Sequence, residues 1–327
     1  MSATEFHPPL RPLGLGEVLD RAVTLCVKYF VPFATIYLVY AVPLAVITFF
    51  ATKDFQTMLQ SVTDVMQHAG TTGRPASQTA IMQAFTRGGG FNAWTGVLVV
   101  MTLLIGPLPT GALIDATAST YLGRLPTFGQ SYRVGLARWV PLIGVNVLYF
   151  VAGMLLYLAI VIVAGLIFVA LAFLTATAHT LGIAVDVAIG IVAAIFGIAL
   201  AIVVTLALQV SYFTCVVERS NPIVAFTRGI ARVFMGVGLK RSLLIGVAFI
   251  AISVAIGIIS FAGQAILAGL FRSGIAGSIY ETLVRIATAA FTTAFIGIFY
   301  FDLRVREEGL DLTLAAQSAR AGILETT

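Results

Sequence analysis

An all-α, polytopic membrane helix bundle with six transmembrane helices is the fold this sequence predicts, and three observations predict it. The first is composition: the 327 residues are 59% hydrophobic and 10% charged, with a mean hydropathy of +1.03. A soluble domain is roughly half apolar and a quarter charged, so lipid must cover much of this surface. The second is length. Crossing a bilayer takes about 20 apolar residues, and runs of at least that size recur six times. The third is the clustering of Lys and Arg at the ends of those runs, the usual mark of membrane orientation.

The runs are Phe30–Phe50, Trp94–Leu122, Trp139–Thr177, Ile183–Val217, Ser242–Phe271 and Thr282–Leu303. Pro107 and Pro109 interrupt the second; they remove amide donors and predict a kink whose freed carbonyls neighbouring helices satisfy. The third and fourth exceed what a bilayer needs, so they tilt or project. His179-Thr180-Leu181-Gly182 reads as a tight outer turn between them. Under six crossings, fourteen of the 19 Lys and Arg fall on one side. That makes this side cytoplasmic, with both termini on it. Splitting the third run in two would move Arg219, Arg228 and Arg232 outside, which supports six.

Each outward-going helix is preceded by a short basic amphipathic segment on the cytoplasmic side. The first is Leu15-Gly16-Glu17 through Arg21 to Lys28-Tyr29-Phe30-Val31-Pro32. The second is Phe128-Gly129-Gln130 through Arg133 to Arg138-Trp139-Val140-Pro141. The third begins at Asn221-Pro222, a good N-cap and first-turn pair, and runs through Arg228 and Arg232 to Phe234. Such segments fit interfacial helices, with apolar side chains at the acyl boundary and Arg or Lys at the headgroups. The candidate contacts to anionic lipid are Arg21, Lys28, Arg133, Arg138, Arg228 and Arg232. The chain then reads as three hairpins, each with its lead-in helix.

One membrane domain spans 1–327, with an interfacial segment at 1–29, an outer loop at 53–92 and a cytoplasmic tail at 304–327. Apolar residues at helical spacing in 54–67 and 80–85 predict two short amphipathic helices in that loop. They serve as a cap on the bundle or as a dock for an envelope partner. In the tail, Asp302 and Arg306 are spaced to pair along one helical face.

Chemistry-bearing residues are sparse. Asp115 and Asp186 lie near helix ends, within reach of interfacial water. Glu281 and Arg285 are four apart and read as an ion pair. Asn146, Gln209 and Gln264 lie deeper and read as interhelical hydrogen bonds. Ala193, Gly197 and Ala201, and Ser253 and Gly257, are small residues at four-residue spacing, which favours close packing. The three histidines, His7, His68 and His179, have no metal-ligand spacing. Cys26 and Cys215 form no metal or disulfide framework and read as small apolar filler. No nucleophile motif, phosphate loop or pair of deep carboxylates is present. The sequence therefore predicts no enzyme activity, no cofactor and no metal. It predicts no nucleic-acid partner either, because no folded basic module accompanies the charge of +5.

The opening Arg11-Pro12-Leu13-Gly14-Leu15-Gly16-Glu17-Val18-Leu19-Asp20-Arg21-Ala22 carries a resemblance. So do Phe128-Gly129-Gln130-Ser131-Tyr132-Arg133 and the ending Tyr300-Phe301-Asp302-Leu303-Arg304-Val305-Arg306-Glu307-Glu308-Gly309-Leu310-Asp311. Over nearly its whole length the chain resembles the glycerophosphoryl diester phosphodiesterase membrane-domain family of bacteria, in the stand-alone form that lacks the soluble phosphodiesterase barrel. The resemblance implies a membrane module without the hydrolase. Together these features predict a bacterial inner-membrane protein that organises lipids or membrane partners without catalysis. The alternative is a transporter or channel for a small or lipidic substrate.

Overall fold

The computed structural model describes residues 11–72, 93–177, 179–235, 238–271 and 274–309, with the single positions 79, 82 and 83; side chains over 52–61 and 163–196, and at scattered single positions, fall outside the description. Among these residues all regular structure is helical. Helix α1 (Leu15–Lys28) starts where Glu17, in its first turn, reaches back to the amide of Gly14 at 2.8 Å, a favourable place for an acidic side chain. It stops at Tyr29, and α2 (Phe30–Thr72) follows at once. The outer segment 54–67, expected as a separate helix, is the continuation of α2. Neither Gly nor Pro stands between Pro43 and Gly70 to end it. Of the second outer segment, only Met82 and Gln83 are described.

The second span comprises α3 (Ala93–Val100), a π-helical turn (Met101–Ile105) and α4 (Pro107–Tyr121). The prolines are thus accommodated by a wider turn just ahead of them, closed by Gly106 N–H donating to the carbonyl of Met101 at 3.0 Å. The indole of Trp139, on the next helix, donates to the carbonyl of Leu104 within that turn. A neighbour therefore supplies a donor where the two prolines lack one. Pro107 and Pro109 are themselves buried.

The next helix, α5 (Phe128–Thr177), absorbs the second basic segment, which is its first turns and not a separate lead-in helix. No terminating residue follows Arg133, and the helix continues through Pro141. At 50 residues it is about 75 Å long at ~1.5 Å per residue. Its partner α6 (His179–Val217) has 39 residues. Tilts beyond about 40° are not usual, so the far end of this pair extends past the hydrocarbon slab. His179–Gly182, expected as the turn, lie inside α6; residue 178, between the two helices, is outside the described residues. After a left-handed Arg219 (φ 53°), the Asn221 side chain caps α7 (Pro222–Phe234) by accepting from Val224 N–H at 2.9 Å. Helices α8 (Gly238–Phe271) and α9 (Gly274–Glu308) complete the chain. The tail expected from 304 begins inside α9, where Leu303 and Val305 are buried.

Among the described residues six helical stretches are long and apolar enough to cross a membrane: Phe30–Ala51, Ala93–Tyr121, Phe128–Ile160, Ala199–Val217, Leu239–Leu267 and Ile275–Glu307. The protein is a multi-pass α-helical membrane bundle. Its last helix is its centre: α9 packs on α1, α2, α4, α6 and α8, and Phe295, Phe299, Tyr300 and Phe301 are fully enclosed. Large apolar side chains face outward instead on α5 and α8, Phe261 being 76% exposed. Lipid is as apolar as leucine, so such a bundle is held by close packing and polar contacts, with no water-driven core to rely on.

The close packing sits elsewhere than the small-residue spacing predicts. A methyl group on Gly197 or Gly257 meets nothing within 4 Å, whereas one on Gly229 overlaps the hydroxyl of Ser211, and Gly111 faces Gly135 across α4 and α5. Gly229→Ala is therefore expected to force α7 away from α6 at a cost of about 1–3 kcal/mol. Gly153→Ala, in open space, is expected to stabilise its helix by up to ~1 kcal/mol. Thermal unfolding of both variants in the same detergent checks the opposite signs.

Candidate functional site

One end of the bundle gathers the ionic side chains. Glu218 follows the last turn of α6 and is the hub. Its Oε2 accepts from Arg228 at 3.0 Å, and its Oε1 accepts from Arg232 and, at 2.7 Å, from the hydroxyl of Tyr300. Arg304 stands 3.9 Å from the same carboxylate. Arg232 also donates to Thr214 at 2.9 Å. The guanidinium groups of Arg232 and Arg304 lie over the Tyr300 ring at 5.6 and 5.9 Å, at the ~6 Å reach of a cation–π contact. Burial pushes the Glu218 carboxyl up, but the hydrogen bonds from Arg232 and Tyr300 and the nearby guanidinium charges outweigh it. Its pKa lies below the ordinary glutamate value. Three arginines thus share one carboxylate along a groove of about 580 Å³, whose rim also carries Glu307 and Met235.

A second ionic cluster at the same end ties the segment before α1 to α8 and α9. Asp302 is fully buried and accepts from the Leu13 amide at 2.8 Å, from Arg241 at 3.2 Å and from Arg306 at 3.1 Å. Arg241 and Arg306 also donate to the Leu13 carbonyl. The pairing of Asp302 with Arg306 follows from their spacing; that of Asp302 with Leu13 and Arg241 does not.

The other candidate residues divide clearly. Arg232 does not reach headgroups: its side chain is only 7% exposed and is held by Glu218, because a guanidinium this deep requires a partner. Arg138 is half-buried and donates to the carbonyl of Arg219 at 3.2 Å, closing the left-handed turn. Arg21 is half-buried beside the hydroxyl of Tyr121 at 3.4 Å. Lys28, Arg133 and Arg228 are exposed. Each has bare apolar neighbours on its own segment: Val27 beside Lys28, Leu136 and Val140 beyond Arg133, and Ile223 before Arg228, all more than half exposed.

Within the membrane, Asn146 accepts from the hydroxyl of Tyr212, joining α5 to α6 as expected. Gln264 is half-buried and makes no side-chain hydrogen bond among the described residues. Asp115 does not reach interfacial water with both oxygens, since Oδ2 is enclosed without a protein partner. Asp186 lies outside the described side chains. Gln209 bonds to no neighbouring helix among the described residues and instead lines a cavity of about 480 Å³. Tyr37, Thr110, the α8 residues Ser253 and Ser260, and the α9 residues Glu281, Arg285, Thr288, Thr292 and Thr293 also line it. Glu281 and Arg285 pair at 2.9 Å.

Glu218, Tyr300 and this cavity were not singled out in the sequence. A lone carboxylate beside Arg219 at the end of an apolar run was the signal for Glu218. A polar stripe at three- and four-residue intervals from Glu281 to Thr292 was the signal for the cavity. Among the described residues no three His, Cys, Asp or Glu side chains are grouped to hold a metal ion.

Compared with family models, curated proteins and solved structures, the chain matches none.

Proposed function

We propose that this protein is a non-catalytic module of a bacterial inner membrane, with both termini in the cytoplasm, that organises anionic lipid at its basic end. The supporting observation is the threefold recurrence of an exposed cation beside an exposed apolar patch: Lys28 with Val27, Arg133 with Leu136 and Val140, Arg228 with Ile223. The apolar neighbours fit the acyl boundary and the cations the headgroups. The resemblance to membrane domains that accompany phosphodiesterases agrees with a membrane module.

The reading is tested by replacing Lys28, Arg133 and Arg228 together with glutamine, leaving the buried Arg232 intact. A cation near an anionic surface contributes about 1 kcal/mol. Enrichment of anionic over zwitterionic lipid around the purified protein is therefore expected to fall at least ~10-fold, and its sensitivity to salt to weaken. Unchanged enrichment refutes the proposal.

A second reading, passage of a small or lipidic solute, is favoured by the polar cavity. Hydroxyl and amide groups lining a space inside the membrane are the ordinary furniture of a solute site.

A further inference from the structure

The cavity between α8 and α9 has a composition that narrows what it holds. It is lined along α9 from the Glu281–Arg285 pair to Thr293, with Thr110 of α4 and Gln209 of α6 also facing it. The thirteen residues of α9 from Glu281 to Thr293 span about 18 Å, more than half of the ~30 Å hydrocarbon thickness. Its volume of about 480 Å³ lies within the ~300–1,000 Å³ usual for small-molecule sites.

The charge in it is balanced. Glu281 and Arg285 bond to each other through Oε1, Nε and Nη2, and no other carboxylate, lysine, arginine or histidine lines the space. A charged solute would therefore enter a low-dielectric site with no opposite charge left to meet it, which is unfavourable.

Hydrogen-bonding capacity is the opposite: plentiful and lopsided. A hydroxyl has one proton and two lone pairs. Thr110, Ser253, Thr288 and Thr293 each donate that proton to a carbonyl of their own helix, at 2.7–2.9 Å. They present acceptors to the cavity. Ser260, Thr292 and Gln209 line it with no hydrogen-bond partner among the described residues. The unmet need is for a neutral ligand that both donates and accepts hydrogen bonds, with donors in excess.

We infer that this cavity binds a neutral polyhydroxylated group, either a free polyol or sugar or the sugar headgroup of an uncharged glycolipid, with Gln209 and Thr292 as its principal hydrogen-bonding residues. Hydroxyls of such a ligand donate to the threonine and serine lone pairs. The Gln209 amide both donates and accepts, which fixes the ligand's orientation. Tyr280, beside Glu281, packs its ring against Gly263, and its hydroxyl donates to the carbonyl of Ile259 at 3.2 Å. That contact joins α9 to α8. The inference concerns binding and does not depend on passage: a ligand held without flux leaves it standing. It is also separate from the lipid contacts at the basic end.

The test uses the full chain in nanodiscs of phosphatidylcholine. In one arm, binding of radiolabelled glucose, xylitol and glycerol is measured against glucosamine and gluconate as cationic and anionic counterparts. In the other, a neutral glucosyl diacylglycerol is added to the nanodisc and its retention is read by native mass spectrometry. Saturable binding in either arm, at least ~10-fold weaker in Gln209→Leu/Thr292→Val, is the expected result; the arm that responds identifies the source of the sugar. Thr292→Ser, which keeps the hydroxyl, is expected to bind as the parent does, while Thr292→Val alone weakens binding. This single-site comparison decides the matter if the double variant does not fold. The inference is overturned if neither arm binds, if binding is indifferent to these substitutions, or if glucosamine or gluconate binds as well as glucose.

Discussion

Glu218→Gln is expected to be among the most destabilising single changes in this protein. The substitution keeps the shape and removes the charge that Arg228, Arg232 and Arg304 share. Arg228 is 56% exposed and can turn to water, but Arg232, at 7%, cannot. Removing one partner of a buried pair typically costs about 3–5 kcal/mol, because the remaining charge is left uncompensated. A loss near the low end is expected, since Thr214 and the Tyr300 ring still contact Arg232. Thermal unfolding in lipid or detergent measures it. Arg232→Met in the Glu218→Gln background is expected to recover part of the loss, as the buried charge then disappears.

The same carboxylate sets an acid limit. Its folded pKa is depressed, so its contribution to stability is fully present above the unfolded glutamate value and is lost as pH falls through the folded value. The parent protein should therefore lose stability more steeply below about pH 4 than Glu218→Gln, which lacks this titrating group. Parallel acid slopes for the two would refute the role given to Glu218.

Asp302→Asn is expected to release the chain's opening segment. Asp302 lies on the central helix, is completely enclosed, and holds Arg241, Arg306 and the Leu13 amide at once. The amide of asparagine still accepts one hydrogen bond but no longer offsets two guanidinium charges. Arg306 is 27% exposed and Arg241 13%, so water relieves part of the penalty and a cost of about 3 kcal/mol is expected. What distinguishes this change from general weakening is where the protein opens. Hydrogen exchange should rise first over residues 13–28, the segment and helix that Asp302 anchors, while the amides of α6 stay protected. A double-mutant cycle with Arg241→Ala should show coupling above ~1 kcal/mol, as expected for groups in one ionic network; a cycle near zero would mean the contact contributes nothing.

These two residues also show how far the sequence can be read. The Asp302–Arg306 pair was legible because four-residue spacing on a helix puts two side chains on one face whatever surrounds them. Leu13 and Arg241 were not, being 289 and 61 residues away from Asp302. The lead-in segments were legible as basic, yet nothing in their pattern says which cation faces the bundle. Arg228 and Arg232 are one turn apart on α7; one is mostly exposed and the other is sealed against Tyr300. Small-residue spacing misled for a related reason. Four-residue intervals mark a helix face, and whether that face meets another helix, as at Gly229, or open space, as at Gly257, depends on the neighbour.

The sequence by itself determined the membrane class, the six crossings and the basic end, since hydropathy, run length and charge placement act residue by residue through transfer from water to lipid. Tertiary structure alone decided that the last helix lies at the centre and that Glu218 collects three arginines. It also turned polar residues on α8 and α9 toward one cavity. Those outcomes depend on which helix faces meet, and in lipid that choice is made by close packing and by buried polar groups finding partners on other helices.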